Sequence, residues 1–444
     1  MSDLRDRAGE IAGIVAERLT DLDRVRRGID DAATLAPGGP EERVYQDLSL
    51  TMGYPGVVLL FAELGRDTAA HRETAHRLLA ESVTRPHPPT GGSLYIGLAS
   101  LAFATRAAMA APDEYRSLID PLDHYVTDLV EQRTRVWHGR LDDDPKHVAG
   151  SMGLYDVISG LSGLGRYLLM LAASGGDDRV LRDVLRYLVA LTGTGEVAGR
   201  AVPRWWVAGG PRLDIPNDPV YRDGHANVGV AHGIAGPLAL LALAWRAGVR
   251  VPGQREAMER VVAWLLDWRC PDAAGVCWPD TITFEQHLGG ERPTPGCVPT
   301  WCYGLPGIAR SIQLAGLALD RRDWREAALD AMRSLLNRPT PGWTLASPSV
   351  CHGSAGLLRI AMRVAADSEG DTTASDIADL AAERTVELFD PGFEVGFRYL
   401  VPPPKRHLES AGMLDGAAGT ALALYGYATG DLTDSRWDAA LLMA

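Results

Sequence analysis

Seven times along this chain a short step of small residues is followed by a run of about ten mostly apolar ones. The copies begin at Gly53, Gly97, Gly160, Gly233, Gly304, Gly353 and Gly416, so successive starts lie 44, 63, 73, 71, 49 and 63 residues apart. All have the form Gly-x-x-Gly except the second, Gly97-Leu-Ala-Ser100, which keeps one glycine. An internal repeat outranks any local reading of the fold. The runs are rich in Ala and Leu, which are strong helix formers. They are apolar nearly all round, as befits helices buried on every side. Between them lie more charged amphipathic segments, among them Asp178–Leu191, Gln254–Asp267, Arg322–Leu336 and Ser375–Leu388. These suit outer helices with one wet face. The expectation is an all-α fold of seven inner and seven outer helices, a double barrel or α/α toroid. Glycines at the inner helix starts would let helix ends crowd together and leave backbone N–H groups facing a common space. An open solenoid is the alternative, but it fits poorly with irregular spacing and buried-looking terminal copies.

No linker is sharp enough to mark a domain boundary, so residues 1–444 are expected to form a single domain. Small insertions are expected at 133–152 and 193–229. The second is rich in Gly, Pro and aromatics, and a loop that long in a compact domain is usually functional. Residues 270–300 are similar and hold three of the five cysteines. Residues 3–28 read as an amphipathic first helix, and Pro37-Gly-Gly-Pro-Glu-Glu42 as a breaker. The tract Val401-Pro-Pro-Pro-Lys-Arg406 reads as a stiff polyproline connection.

Apolar residues make up 46% and charged residues 23%, the balance of a soluble globular protein. The net charge of −13 disfavours nucleic acid, which requires a basic patch. No apolar stretch is long enough to span a membrane. The N-terminus is charged throughout and is not a secretory signal. Five cysteines are an odd number in a long chain, which argues against a disulfide framework and for a reducing compartment. A cytoplasmic protein is expected.

Metal-binding residue types recur just ahead of the glycine steps. Cys302 precedes Gly304, Cys351 and His352 precede Gly353, and His232 precedes Gly233. Equivalent places in a repeated unit suggest one shared metal site. Cys302, Cys351 and His352 make three N/S ligands, which with an open fourth position is the catalytic zinc pattern. The bland alternative is an inert buried cysteine at each place and a surface histidine, and the equivalence of the positions tips the balance toward zinc. Cys270, Cys277 and Cys297 precede no glycine step and read as free cysteines in or near loops. His232 suits a fourth ligand or a general acid/base; His225 reads as a loop histidine. Asp156 either orients a histidine, handles a proton or caps a helix, while Asp415 reads as the cap of the last inner helix. Trp301 and Tyr303 flank Cys302 and either wall a pocket or pack the core. Trp205 and Trp206 are loop aromatics suggestive of peptide contact.

The motifs Asn227-Val-Gly-Val-Ala-His-Gly-Ile-Ala-Gly236, Trp301-Cys-Tyr-Gly-Leu-Pro-Gly307 and Val350-Cys-His-Gly-Ser-Ala-Gly356 together resemble those of the lanthionine synthetase C-like (LanC) cyclases. The weaker match Tyr155-Asp-Val-Ile-Ser-Gly160 and the other glycine steps extend the likeness from about residue 45 to the end. The resemblance implies the double ring of helices and a Zn2+ held by Cys302, Cys351 and His352. It implies active-site roles for Asp156, His232, Trp301 and Tyr303. The family commonly has an Arg three residues before the tryptophan of this motif, where this chain has Val298. The implied reaction adds a cysteine thiol of a dehydrated precursor (leader–core) peptide to dehydroalanine or dehydrobutyrine. The product is a lanthionine or methyllanthionine thioether ring. A stand-alone cyclase is expected, with a dehydratase and transporter of the same pathway as partners, at the periphery of a membrane-associated biosynthetic complex. Two rivals share the scaffold: a non-cyclase LanC-like protein that grips a thiol such as glutathione, and a prenyltransferase-type zinc toroid. The latter needs a basic diphosphate pocket, and no Arg/Lys cluster accompanies these motifs.

Overall fold

The computed structural model describes residues 2–33, 47–85, 92–211, 218–338, 343, 345–401, 406–432 and 436–444. The Pro37–Glu42 breaker and the prolines of the 401–406 tract lie outside the described residues. The chain is mostly helical. All seven apolar runs form helices: Tyr54–Leu64, Leu98–Ala108, Leu161–Ala173, Ala235–Arg246, Leu305–Ala318, Ser354–Ala366 and Ala417–Thr429. The amphipathic segments between them form Ala69–Val83, Arg116–Asp143, Arg179–Leu191, Gln254–Asp267, Arg322–Leu336 and Thr373–Glu387. Four two-stranded antiparallel sheets decorate the described residues.

Two compact units divide the chain. One comprises Met1–Val126 with Thr344–Ala439, the other Thr127–Trp343 with Ala440–Ala444. In the first, the Ala417–Thr429 helix packs between Ser354–Ala366 and Tyr54–Leu64, and the latter packs on Leu98–Ala108. The seventh inner helix takes its outer partner from the other end of the sequence, the Ser2–Leu19 helix. The single first helix expected over 3–28 is in fact two, Ser2–Leu19 and Leu22–Ala33. The break falls at Asp21, whose Oδ1 accepts from the amides of Asp23 and Arg24 and so starts the second helix. In the second unit, Ala235–Arg246 packs between Leu161–Ala173 and Leu305–Ala318. Leu238, Leu240 and Leu241 on it are fully buried. Each such side chain contributes roughly 1.5–3 kcal/mol of burial.

The glycine steps do a specific job. A Cβ on Gly307 would lie 2.2 Å from the Trp301 carbonyl oxygen, and one on Gly356 would lie 2.0 Å from that of Val350. In both, the second glycine of the step lets the helix start fold back onto the carbonyl six residues earlier. The turn so made is then tied to the next one by backbone hydrogen bonds. In the second unit, Val157 N donates to Ala231 O, and Val230 N and Ala231 N donate to Cys302 O. In the first, Val350 N and Cys351 N donate to Leu414 O, Met413 N to Leu50 O, and Leu50 N to Tyr95 O. Within each unit the turns that open the inner helices therefore form a ladder. This satisfies buried amides that the helices themselves cannot.

Two loop expectations change. Residues 133–143 are not an insertion but the end of the Arg116–Asp143 helix. Its buried stripe Ile119, Leu122, Val126, Val130, Thr134 and Trp137 keeps helical spacing, and Trp137 meets Tyr187 edge-on at 4.9 Å. In 193–229, Thr194–Val197 pairs with Arg200–Pro203, and His225–Asn227 pairs with Thr281–Thr283 from the 270–300 segment. Trp205 and Trp206 are 3% and 1% exposed, so they pack the interior and offer no peptide-facing surface. Trp206 Nε1 donates to Asp223 O, and Trp205 stacks edge-on with Trp264.

The chain end is anchored twice. Asp438, fully buried, accepts from Arg359 Nε and Arg363 Nε, both at 2.7 Å. In the second unit, Met443 O accepts from Arg310, and Ala444 O accepts from Arg166.

Candidate metal centre and active site

One repeat position supplies most of the candidate side chains. The residue just before each glycine step is Met52, Ile96, Ser159, His232, Tyr303, His352 or Asp415, and Cys302 and Cys351 come one residue earlier still. These residues lie on the turns of the ladder, held by glycine folding below and amide bonding to the side. A side chain there is presented by rigid backbone rather than by a free loop.

In the second unit the structure brings Asp156, His232 and Tyr303 together. Asp156 is 1% exposed. Its Oδ1 accepts from the amides of Ser159 and Gly160, each at 2.7 Å. Its Oδ2 lies 2.6 Å from His232 Nδ1. Oδ1 thus braces the turn just ahead of the Leu161–Ala173 helix, whose N-cap is Gly160, so the cap role is not realised, while Oδ2 makes the contact with His232. With Nδ1 bound to the carboxylate, the imidazole presents Nε2 outward from a side chain 31% exposed. The Tyr303 ring lies 6.1 Å from that of His232. Its hydroxyl accepts from Asn227 Nδ2 at 3.1 Å. Burial pushes its pKa well above the ordinary tyrosine value despite the Asn227 bond, so the hydroxyl keeps its proton. Cys302 sits beside it, partly exposed, with Thr300 Oγ1 3.8 Å from its sulfur. Val298, where an Arg was expected, uses its carbonyl to accept from Leu305 N at the start of the next helix.

Trp301 resolves toward packing. It is 1% exposed, and its Nε1 donates to Leu441 O at 3.0 Å. It locks the C-terminal segment rather than lining an open space. His225 is a fully buried strand residue whose Nδ1 meets Gly209 O at 2.9 Å. Burial lowers its pKa and keeps it neutral.

In the first unit Cys351 and His352 lie together with a third residue, Asp415. Their ligand atoms all fall within 4.8 Å of one another. His352 N donates to Ser349 Oγ, which fixes the turn, and His352 Nε2 lies 3.2 Å from Leu400 O. Asp415 Oδ1 is 3.6 Å from His352 Nδ1, too far for a hydrogen bond, and is buried with no hydrogen-bond partner among the described residues. Burial raises the Asp415 carboxyl above the usual range. The expected cap role is not realised: Gly416 is the N-cap of Ala417–Thr429, with no side-chain cap bond. A thiol, an imidazole and an orphaned carboxylate oxygen at one spot fit the donor chemistry of Zn2+. Asp415 is legible in principle, since it occupies the same repeat position as His352.

A second cluster lies outside the repeat motifs. Cys277 and Cys297 are disulfide-paired, with Cα atoms 5.5 Å apart, which corrects the reading of both as free loop cysteines. The hairpin Cys270–Asp272/Gly275–Cys277 presents one sulfur and the returning loop brings the other, a meeting that spacing does not encode. Arg338 Nη2 reaches both Asp272 at 2.7 Å and the Cys277 sulfur at 3.1 Å. Cys270 remains outside that pair, buried, with its thiol pushed up by burial.

Known proteins resemble this chain over most of its length. The family model described as "Lanthionine synthetase C-like protein" matches residues 45–442. The nisin biosynthesis protein NisC of Lactococcus lactis subsp. lactis is 25% identical over 322 residues, covering 71% of this chain and 73% of NisC. The solved structure of a nisin cyclase matches with a TM-score of 0.72 at 22% identity, over 94% of this chain and 97% of that one. That likeness shows the α/α-toroid fold class expected from the repeats. None of the described helices is long and apolar enough to cross a membrane. With a family model matched across nearly its whole length, the chain belongs to the lanthionine synthetase C-like family.

Proposed function

We propose that the chain is a zinc-dependent lanthipeptide cyclase. It closes lanthionine and methyllanthionine rings by adding cysteine thiols of a dehydrated precursor peptide to dehydroalanine or dehydrobutyrine. The observation that carries this reading is the 2.6 Å contact between Asp156 and His232, beside Tyr303 and one turn of the ladder from Cys302. It supplies a positioned proton carrier next to a candidate metal ligand, which is what a thiol addition followed by protonation requires.

Cys302, Cys351 and His352 would hold the zinc, with the Asp415 carboxyl as a further donor beside Cys351 and His352. Bound there, zinc lowers the pKa of a substrate thiol so that it reacts as thiolate at neutral pH. The proton transfers belong to the chain's own residues. Asp156 holds His232 through Nδ1 and orients its Nε2. His232 gives a proton from Nε2 to the substrate α-carbon after the carbon–sulfur bond forms at the β-carbon. Trp301, bonded to Leu441, keeps the backbone of the Cys302 turn in place. The family relationship supports a precursor peptide as substrate. The reading includes a cytoplasmic site of action beside a dehydratase of the same pathway.

The reaction leaves peptide mass unchanged, so the test counts thiols. Zinc-loaded protein is incubated with a dehydrated, cysteine-containing precursor and then treated with iodoacetamide. Loss of alkylation in step with ring formation is expected. Full alkylation after prolonged incubation sinks the proposal.

A further inference from the structure

Two partly exposed side chains, His232 and Tyr303, each have a buried residue behind them. Asp156 stands behind His232, and Asn227 stands behind Tyr303. Asn227 is fully buried, on the strand His225–Asn227 that pairs with Thr281–Thr283. Its amide could face Tyr303 with oxygen or nitrogen, and a third group decides which. Gly229 N donates to Asn227 Oδ1 at 3.3 Å. A flipped amide would set donor against donor there. Met152 Sδ, an acceptor 3.7 Å from Nδ2, agrees with that orientation. Asn227 therefore donates to Tyr303, and the Tyr303 oxygen accepts.

A phenol oxygen that accepts still has its own O–H to donate. Among the described residues the Tyr303 hydroxyl has Asn227 as its hydrogen-bond partner, so the proton points away from it. The segment that carries Asn227 is locked against the Tyr303 turn. A Cβ on Gly229 would lie 2.5 Å from Cys302 O and 2.9 Å from Tyr303 Cδ1. Asn227 and Tyr303 thus cannot drift apart without breaking the ladder.

We propose that Asn227 is a positioning residue that turns the Tyr303 O–H toward the substrate, as hydrogen-bond donor to the carbonyl oxygen of the dehydro residue. This rests on the cyclase reading above. As the thiolate forms its bond to the β-carbon, the π pair of the C=C bond moves to give an enolate with charge on that oxygen. Tyr303 stabilises that charge by donating its O–H to the oxygen. His232 then protonates the α-carbon and the carbonyl is restored. A fixed donor aimed at developing charge gains more than one that must reorganise.

The test compares wild type, Asn227→Asp, Tyr303→Phe and the double variant. Asn227→Asp keeps an acceptor for Gly229 N but, ionised, cannot donate, so the Tyr303 hydroxyl must turn inward to it. Asn227→Asp and Tyr303→Phe are each expected to lower kcat about 100-fold with KM unchanged, and the double variant to match Tyr303→Phe alone. A wild-type rate for Asn227→Asp, or losses that multiply in the double variant, overturns the proposal. A second readout needs no turnover. Subtracting the Raman spectrum of the matching Tyr303→Phe protein isolates the tyrosine ring doublet of Tyr303, whose intensity ratio distinguishes an accepting from a donating hydroxyl. It is expected to read as accepting in wild type and donating in Asn227→Asp. An unchanged ratio overturns the assignment. If the ratio shifts as expected while wild type leaves peptide thiols intact, it is the cyclase reading that fails. Asn227→Ala, which removes all three of these side-chain hydrogen bonds, guards against misfolding caused by a buried charge, and should show the same loss in kcat.

Discussion

Asp156 and His232, 76 residues apart, meet at 2.6 Å, while the second carboxylate oxygen of Asp156 is held by two amides of its own turn. The carboxylate can neither rotate nor leave. It therefore sets the imidazole's tautomer as well as its direction.

Replacing Asp156 by Asn keeps the shape but removes the carboxylate that fixes the tautomer and direction of His232. The expected result is a fall in kcat of about 100-fold or more, with zinc content unchanged. Thiol-consumption kinetics and metal analysis on the same samples check it. Loss of zinc along with activity would assign Asp156 to structure instead.

Metal content should track the ladder positions. Cys351→Ala and His352→Ala are expected to purify with little zinc and no cyclisation, and Cys270→Ser with full zinc. Chelation of the wild-type protein should abolish thiol consumption, and added Zn2+ should restore it. Elemental analysis decides the first part, since it needs no substrate.

Two glycines should respond in opposite directions. At Gly356 a Cβ would press on the Val350 carbonyl, whose residue is itself tied to Leu414. Gly356→Ala is expected to cost roughly 2–4 kcal/mol of stability. At Gly139, inside the Arg116–Asp143 helix, a Cβ meets nothing within 4 Å. Gly139→Ala should stabilise by about 0.5–1 kcal/mol. Urea titration of the two variants separates a steric role from a conformational one.

Asp438 predicts an acid limit. Burial alone would raise its carboxyl, but Arg359 and Arg363 outweigh that and hold it down at about 2. A depressed folded-state pKa gives stability that is present above the ordinary carboxylate range and lost as pH falls toward about 2. The contribution is about 2 kcal/mol. Asp438→Asn should flatten the stability–pH curve between about pH 4 and 2. Asp438→Ala, which leaves Arg359 buried without its partner, should cost roughly 3–5 kcal/mol. Denaturant midpoints across that pH range provide the measurement.

Much of the site can be read from the repeat. The glycine steps mark where inner helices begin, and the residues just ahead of them include His232, Tyr303, Cys351 and His352. Asp415 shares that position but reads as a cap, because an acid before a glycine at a helix start has that ordinary meaning. Asn227 gives no such signal, because it lies six residues before its glycine step, on a short strand whose partner is Thr281–Thr283. Trp205 and Trp206 read as loop aromatics suited to peptide contact because Gly and Pro surround them, yet they are buried in the interior.

The sequence by itself determined the number and order of the inner helices and which residues stand at their starts. Those properties arise from local chemistry: an apolar run buries itself, and glycines such as Gly307 and Gly356 let the helix start close on the carbonyl six residues back. The tertiary structure alone decided who touches whom across long separations. It gave Asn227 to Tyr303, Trp301 to Leu441, Cys277 to Cys297 and Asp415 to His352. It also gave the last inner helix its outer partner at the N-terminus. No local pattern encodes such pairings, because each arises only when several buried helices have chosen their neighbours and the remaining polar groups must find partners in the space left.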